Sequence, residues 1–173
     1  RFFLFGSRDI WFVVALPLFL QTELGWSYVQ VGSLLAAWII GYGIVQTLAP
    51  KVTDASGKTA FEWVAAICLL PALIATGLYL EWNSELLIIA GLLIFGALFA
   101  INSSVHSYLI VSYAREDGAS LDVGFYYMAN AAGRLVCTLL SGLIYQYHGL
   151  AACLIGSSIL LIAAAAISWK LPR

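Results

Sequence analysis

Six long runs of apolar residues, joined by short polar links, make up most of the sequence. A helix needs about 20 residues, at a rise of ~1.5 Å each, to cross the hydrocarbon core of a bilayer, and each run supplies that length. Because the links are short, neighbouring helices must run antiparallel. The pattern predicts an all-α membrane protein of six transmembrane helices, with spans at about 2–21, 29–49, 60–80, 86–113, 123–146 and 150–169.

The composition agrees with a protein that is embedded in lipid. Hydrophobic residues make up 62% of the 173 residues and charged residues 10%, and the mean hydropathy is +0.95. No soluble domain of this size needs so much apolar surface. A formal net charge of −1 offers no basic field to nucleic acid, so we expect no such partner. The cysteines lie inside predicted spans without CxxC spacing, so we expect no disulfide, metal or cofactor.

The basic residues of the links all fall on one side of the predicted membrane, and the links on the other side contain no Lys or Arg. By the positive-inside rule, the basic side is cytoplasmic. The chain starts with Arg1 directly before an apolar run, from which we expect a fragment of a longer protein. The basic residues concerned are Lys51, Lys58, Arg115, Lys170 and Arg173.

Besides Glu62 near the start of the third span, three charged residues fall inside the predicted spans, where each costs about 2.5–3.5 kcal/mol at a helix centre. Arg8 and Asp9 belong to the first span, because residues 10–20 alone cover only about 16 Å. Arg134 lies near the middle of the fifth span. A structural interpretation pairs Arg8 with Asp9, with Arg8 snorkelling to the cytoplasm, and makes Arg134 a buried cation paired with Asp9 or a carbonyl. A functional interpretation makes them a cavity site for an anion or proton. Both can hold, since substrate can replace a resting partner.

Polar residues at helical spacing extend this pattern to other spans. The third span between Glu62 and Leu80 and the whole sixth span hold only scattered Cys, Ser, Thr and Gly, so we expect those two spans to face lipid and the other four to line a cavity. His106 can titrate near neutral pH, which makes His106 and Asp9 candidate proton carriers; alternatively, His106 is a hydrogen-bonded packing residue. The polar positions are Trp38, Tyr42 and Gln46 in the second span, Asn102, Ser103, His106 and Ser107 in the fourth, and Tyr127, Asn130, Arg134, Cys137 or Thr138, and Ser141 in the fifth.

Two pairs of spans share identical positions. Aligned on the Val-Gly that opens each of them, the second and fifth spans pair Gly41 with Gly133. Phe95-Gly96 in the fourth span repeats Phe5-Gly6 in the first. The spans of each pair run in opposite directions, which is the pattern of an inverted three-plus-three repeat.

On this repeat and on one loop motif, the whole chain resembles the C-terminal half of a major facilitator superfamily transporter. Residues 54–58, Asp-Ala-Ser-Gly-Lys, look like the family's D-R-x-G-R/K loop, although Ala55 replaces the usual basic residue. The resemblance implies a transporter, not an enzyme, in which this chain supplies helices 7–12 of a twelve-helix parent. It also implies a missing N-terminal half as partner, and a gating role for Asp54, Gly57 and Lys58.

More narrowly, three stretches look like the organoarsenical efflux permeases of that superfamily. This resemblance implies a bacterial inner membrane protein that exports 1-arseno-3-phosphoglycerate, a small polyanion made when glyceraldehyde-3-phosphate dehydrogenase uses arsenate in place of phosphate. Arg8 and Arg134 are then sensible ligands, because a guanidinium offers forked donors and keeps its charge. Further substrate-binding candidates are Asn130, Tyr127, Tyr42, Gln46 and Asn102. The stretches are RFFLFGSRDIWFVVALPLFL, GWSYVQVGSLLAAWIIGYGIVQTLAP and NAAGRLVCTLLSGLIYQ.

Other functions stay open at this point. A transporter of another small solute or drug fits the same pattern. An intramembrane serine protease would need Ser141 and His148, but Ser141 lacks a GxSG sequence and His148 falls in an external link. A non-transporting membrane scaffold would gain little from the costly charges of Arg8, Asp9 and Arg134.

Overall fold

The computed structural model describes residues 1–115 and 117–171, and Arg173, one of the basic residues used above for orientation, lies outside them. Within these ranges the chain forms helices and no strand. Five segments are long and apolar enough to cross a membrane, so the prediction of an all-α membrane protein is confirmed. The helices are α1 (Phe2–Phe12), α2 (Ala15–Thr22), α3 (Tyr28–Leu48), α4 (Gly57–Cys68), α5 (Leu70–Tyr79), α6 (Ser84–Tyr113) and α7 (Ala119–Ser168), with a 3₁₀ turn at Ala49–Lys51.

Side-chain caps explain where three of these helices begin. Ser27 precedes α3 and forms a capping box with Gln30, in which each side chain accepts a backbone N–H of the other residue. Ser56 precedes α4 and Asn83 precedes α6, and each accepts a backbone N–H from the first turn of its helix. Polar residues that interrupt the apolar runs therefore fix the start of each following helix.

The first predicted span is not one helix, because α1 and α2 are separated at Val13. Pro17 explains the break: it has no N–H, and its ring crowds the carbonyl four residues earlier, which belongs to Val13. The backbone N–H of Ala15 instead donates to the hydroxyl of Ser141 in α7, at 3.2 Å. A side chain of a neighbouring helix thus satisfies a backbone group that the break leaves free. Likewise, the third predicted span divides into α4 and α5 at Leu69, shortly before a proline.

The predicted link at 147–149 is reduced to a single non-helical residue, Gly149, with φ 72° and ψ −174°. This conformation is almost exclusive to glycine. The Sγ of Cys153 lies 3.7 Å from the carbonyl oxygen of Ser141, a pair that a straight helix would separate by about 18 Å. The chain therefore turns back at Gly149, which divides α7 into a first arm, 119–148, and a second arm, 150–168.

Both arms of α7 pack against α1, which lies at the centre of the fold. The first arm approaches so closely that a Cβ on Gly6 would lie 2.6 Å from the Sγ of Cys137, and a Cβ on Gly133 would lie 2.8 Å from the Cα of Phe2. From the second arm, the hydroxyl of Ser157 donates to the backbone carbonyl oxygen of Ser7 in α1 at 2.6 Å. Glycine is therefore needed on both sides of the crossing between α1 and the first arm.

A second close crossing joins α3 to α6. A Cβ on Gly96 would lie 2.5 Å from the indole nitrogen of Trp38, so only glycine leaves room for that ring. The indole N–H donates to the carbonyl oxygen of Leu92 at 2.8 Å. The Phe-Gly pair that the sequence repeats thus marks a helix crossing in both of its copies.

Candidate functional site

The carboxylate of Asp9 lies between two guanidinium groups at the crossing of α1 and the first arm of α7. Its Oδ1 accepts from the Nε of Arg8 at 2.6 Å and forms an ion pair with the Nη2 of Arg8 at the same distance, and its Oδ2 accepts from the Nε of Arg134 at 2.8 Å. The Asp9 side chain is only 1% exposed. The ion pairs of the structural interpretation are therefore present, and they join Arg8, Asp9 and Arg134 in one cluster.

The crossing itself explains why these three charges meet. Gly6 and Gly133 let the two backbones approach, and Asp9 follows Gly6 by about one helical turn while Arg134 is next to Gly133. Adjacent residues of a helix do not normally face each other. Arg8 nevertheless reaches the Asp9 carboxylate, because its side chain folds back over the neighbouring rings of α1 and α6.

Arg8 is the enclosed member of the cluster. Its side chain is 12% exposed, and its guanidinium carbon lies 5.3 Å from the centre of the Phe5 ring and 5.7 Å from that of Phe99. Aromatic faces attract a cation at such distances. Arg8 therefore has a carboxylate on one edge and rings beside it, and little of it is left for any other partner.

Arg134 is the open member of the cluster. Its side chain is 51% exposed, which differs from the buried cation that the structural interpretation expected. Within residues 1–115 and 117–171, only the Nε of Arg134 forms a hydrogen bond, and neither of its Nη atoms has a partner. The two terminal amino groups form a free fork, the arrangement with which arginine binds a carboxylate or a phosphate through two parallel hydrogen bonds.

The polar stripe predicted around Arg134 is only partly accessible. Tyr127 is 56% exposed, and Asn130 is half-buried with a carbonyl oxygen that lacks a partner among the described residues. By contrast, Cys137 and Ser141 are fully buried, so the stripe does not continue along one open face. The reason is that the later turns of the first arm pack against α1 and α2, where Ser141 accepts the N–H described above.

The other predicted substrate ligands lie in different environments. Tyr42 is half-buried and stacks on Trp38, with ring centres 5.4 Å apart. Gln46 is half-buried one turn further along α3. Asn102 is completely buried, and neither atom of its amide has a partner in the part of the chain that the structure describes. The structure therefore does not bring Asn102 to an open surface as a ligand would require.

The sequence pattern did not predict a second polar site, in which the guanidinium of Arg1 is surrounded by hydroxyl and carbonyl oxygens. Arg1 donates to the Ser103 hydroxyl at 3.1 Å, to the Ser103 carbonyl at 3.3 Å, and to the hydroxyls of Ser107 and Tyr126. The available signal was the pair of serines one turn apart in α6. His106 and Arg1 line the same cavity of about 220 Å³. The His106 side chain makes no hydrogen bond to any described residue. The alternative given above, a hydrogen-bonded packing residue, is therefore not observed.

Two residues of the loop motif at 54–58 form the start of helix α4. Ser56 accepts a backbone N–H of the first turn of α4 at 3.1 Å, and Gly57 begins that helix. Lys58 forms an exposed pair with Glu62, at 3.6 Å, while the Asp54 carboxylate has no ion pair within the described residues. The gating role expected for Asp54, Gly57 and Lys58 stays a prediction.

The arrangement expected of a serine protease is not observed. Ser141 is fully buried and bonded to the backbone of α2, and His148 is exposed near the end of the first arm. No hydrogen bond joins these two side chains. The three cysteines are buried and free.

The family described as Major Facilitator Superfamily matches over residues 1–173, which is the whole chain. No curated protein and no solved structure matches.

Proposed function

We propose that this chain, which belongs to the major facilitator superfamily, is part of a secondary transporter that exports a small organic anion. The observation that carries the proposal is the free fork of Arg134, which is half-exposed at a helix crossing and held from behind by Asp9. Ionisable groups inside membrane-spanning helices are costly, and they typically mark the path of a substrate or an ion.

The fork suits an oxyanion in both shape and charge. A guanidinium forms two parallel hydrogen bonds to a carboxylate, phosphate or arsenate, and it stays charged where water is scarce. Because Asp9 holds the Nε, less conformational freedom is lost when a ligand binds. Asn130 and Tyr127 lie on the same face of α7, about one and two turns before Arg134 respectively, and would add hydrogen bonds.

We further propose that the chain supplies helices 7–12 of a twelve-helix parent, whose two halves alternate access around a midplane site. The reversal at Gly149 supports this count, because it divides the longest segment into two arms. The matching crossings at Gly6 and Gly96 support an inverted repeat. The missing N-terminal half would form the other wall of the site.

As substrate we propose 1-arseno-3-phosphoglycerate, produced by a glyceraldehyde-3-phosphate dehydrogenase and exported through a bacterial inner membrane. The support is the resemblance of the sequence to organoarsenical permeases, together with a cationic fork that fits a small polyanion. A transporter of another small anion is the alternative that uses the same fork. Proton coupling through Asp9 or His106 stays a prediction.

The test is the arsenic retained by arsenate-loaded cells that express the full-length parent, the Arg134→Ala variant or a control. Leu135→Ala is a matched control, because Leu135 is also exposed and adjacent in sequence but carries no charge. We expect low retention with the parent and the control, and high retention with Arg134→Ala at equal membrane abundance. If cells with the parent retain as much arsenic as empty cells, the arsenical substrate is wrong. If Arg134→Ala exports as well as the parent, Arg134 is not the ligand.

A further inference from the structure

We propose that Arg8 is a positioning residue and not a substrate ligand: it occupies one oxygen of Asp9, so that Asp9 can hold Arg134 by a single bond and leave its fork free. This inference rests on the proposed function, and it changes the role that the sequence predicted for Arg8.

The geometry separates the roles of the two arginines. Arg8 places both its Nε and its Nη2 within 2.6 Å of one oxygen of Asp9, the Nε as a hydrogen-bond donor, and it is nearly enclosed beside Phe5 and Phe99. Arg134 places one donor on the other oxygen and is half-exposed. A ligand that enters from the open side therefore meets Arg134, whereas Arg8 has little surface to offer.

The arrangement around the carboxylate explains why Arg8 is needed. Arginine and carboxylate groups commonly pair through two parallel hydrogen bonds, one to each oxygen. If Arg8 were absent, Oδ1 of Asp9 would be open to an Nη atom of Arg134, and that second bond would use one nitrogen of the fork. Because Arg8 holds Oδ1 at 2.6 Å, Arg134 is limited to the single Nε bond at 2.8 Å.

The charges of the cluster lead to the same conclusion. Two guanidinium groups and one carboxylate sum to +1, so the resting site attracts an anion. Neutralising Arg8 alone brings the sum to zero and leaves Arg134 as the only partner, among the described residues, of a buried carboxylate. Neutralising Arg8 and Asp9 together restores +1, with Arg134 as its source. The inference predicts that loss of Asp9 rescues loss of Arg8 but does not rescue loss of Arg134.

The experiment measures binding of 3-phosphoglycerate, a stable analogue of the proposed substrate, to the purified full-length parent by titration calorimetry. The variants are Arg8→Gln, Arg8→Gln/Asp9→Asn and Arg134→Gln/Asp9→Asn. We expect Arg8→Gln to weaken binding by about tenfold or more, because the fork loses a donor that contacts a charged group. We expect Arg8→Gln/Asp9→Asn to recover most of this loss. Arg134→Gln/Asp9→Asn has the same net charge, supplied by Arg8, and should show no detectable binding.

Two binding results would overturn the inference. In one, Arg8→Gln/Asp9→Asn binds as poorly as Arg134→Gln/Asp9→Asn while both are folded. In the other, both double variants bind equally well, which would make Arg8 a ligand. If the parent itself does not bind 3-phosphoglycerate, the proposed function fails, and unfolding temperatures of the same proteins decide the role of Arg8. Recovery of the Arg8→Gln unfolding temperature by Asp9→Asn supports the inference, and no recovery overturns it.

Discussion

The two close helix crossings share a sequence element but differ in chemistry. Where α1 meets the first arm of α7, Gly6 admits its neighbour, and the next turn carries a carboxylate with two guanidinium partners. Where α6 meets α3, Gly96 admits the ring of Trp38, and the polar contact is one neutral bond from its indole to a backbone carbonyl. The same packing solution thus occurs twice, and only one copy brings charges together.

The two crossings therefore differ in whether their polar contacts stabilise the fold or are available to bind a ligand. A neutral hydrogen bond between buried partners contributes modestly to stability, about 0.5–1.5 kcal/mol. Buried ion pairs contribute little net stability, because desolvation offsets much of their attraction, although losing one partner is strongly destabilising. A gain in stability therefore does not explain the charged crossing. Binding of an anion by the open fork of Arg134 would explain it, and the crossing at Trp38 has no such group.

The largest effect is expected from Asp9→Asn in the full-length parent. This change leaves the enclosed Arg8 without its anion, and breaking a buried pair costs about 3–5 kcal/mol. We expect a clearly lower unfolding temperature and reduced membrane abundance. Glu62→Gln is the control, because it removes a pair that is exposed on both sides, worth about 0–1 kcal/mol. Equal unfolding temperatures for Asp9→Asn and Glu62→Gln would contradict the burial of the cluster.

An intermediate effect is expected from Gly133→Ala. The added Cβ would meet backbone atoms of Phe2, which cannot move aside like a side chain, and overpacking of this kind costs about 1–3 kcal/mol. Because Arg134 is the next residue, anion binding should weaken as well. Gly41→Ala, at the position equivalent in the repeat, meets no atom of residues 1–115 or 117–171 within 4 Å and should leave both properties close to those of the parent. Both variants are compared by calorimetric binding of 3-phosphoglycerate and by unfolding temperature. Equal binding and equal unfolding temperatures for Gly133→Ala and Gly41→Ala would contradict the close approach of Gly133 to Phe2.

The smallest effect is expected from Trp38→Phe, which changes the uncharged crossing alone. It removes the bond to the carbonyl of Leu92 and keeps an aromatic ring in place, so we expect a loss of about 1 kcal/mol of unfolding free energy. Binding of 3-phosphoglycerate should not change. A large loss of binding in a folded Trp38→Phe protein would show that the two crossings do not have separate roles.

The sequence predicted those features that depend on composition along the chain. The fourth span, expected at about 86–113, is observed as Ser84–Tyr113, because apolar runs with polar ends are read directly from the residues. The pairing of Arg134 with Asp9 was among the interpretations, because costly charges in lipid need partners.

The remaining features depend on tertiary contacts. Helical spacing placed Ser141 on the stripe of Arg134, but the rotation of α7 that buries Ser141 is set by its packing on α1 and α2. The break at Val13 was predictable from Pro17, whereas the acceptance of the freed N–H by Ser141 was not. Likewise, the sequence assigned Arg8 and Arg134 the same role, because only the geometry shows which guanidinium is enclosed and which is open.

The most direct test of the central claim is calorimetric binding of 3-phosphoglycerate to the full-length parent and to its Arg134→Lys variant. Lysine keeps the positive charge but cannot form a fork of two parallel donors. If the Arg134 fork binds the anion, the parent binds and Arg134→Lys weakens binding by about tenfold or more, since a hydrogen bond to a charged group is lost. Equal binding by the parent and a folded Arg134→Lys protein would contradict the claim that the fork is the anion site.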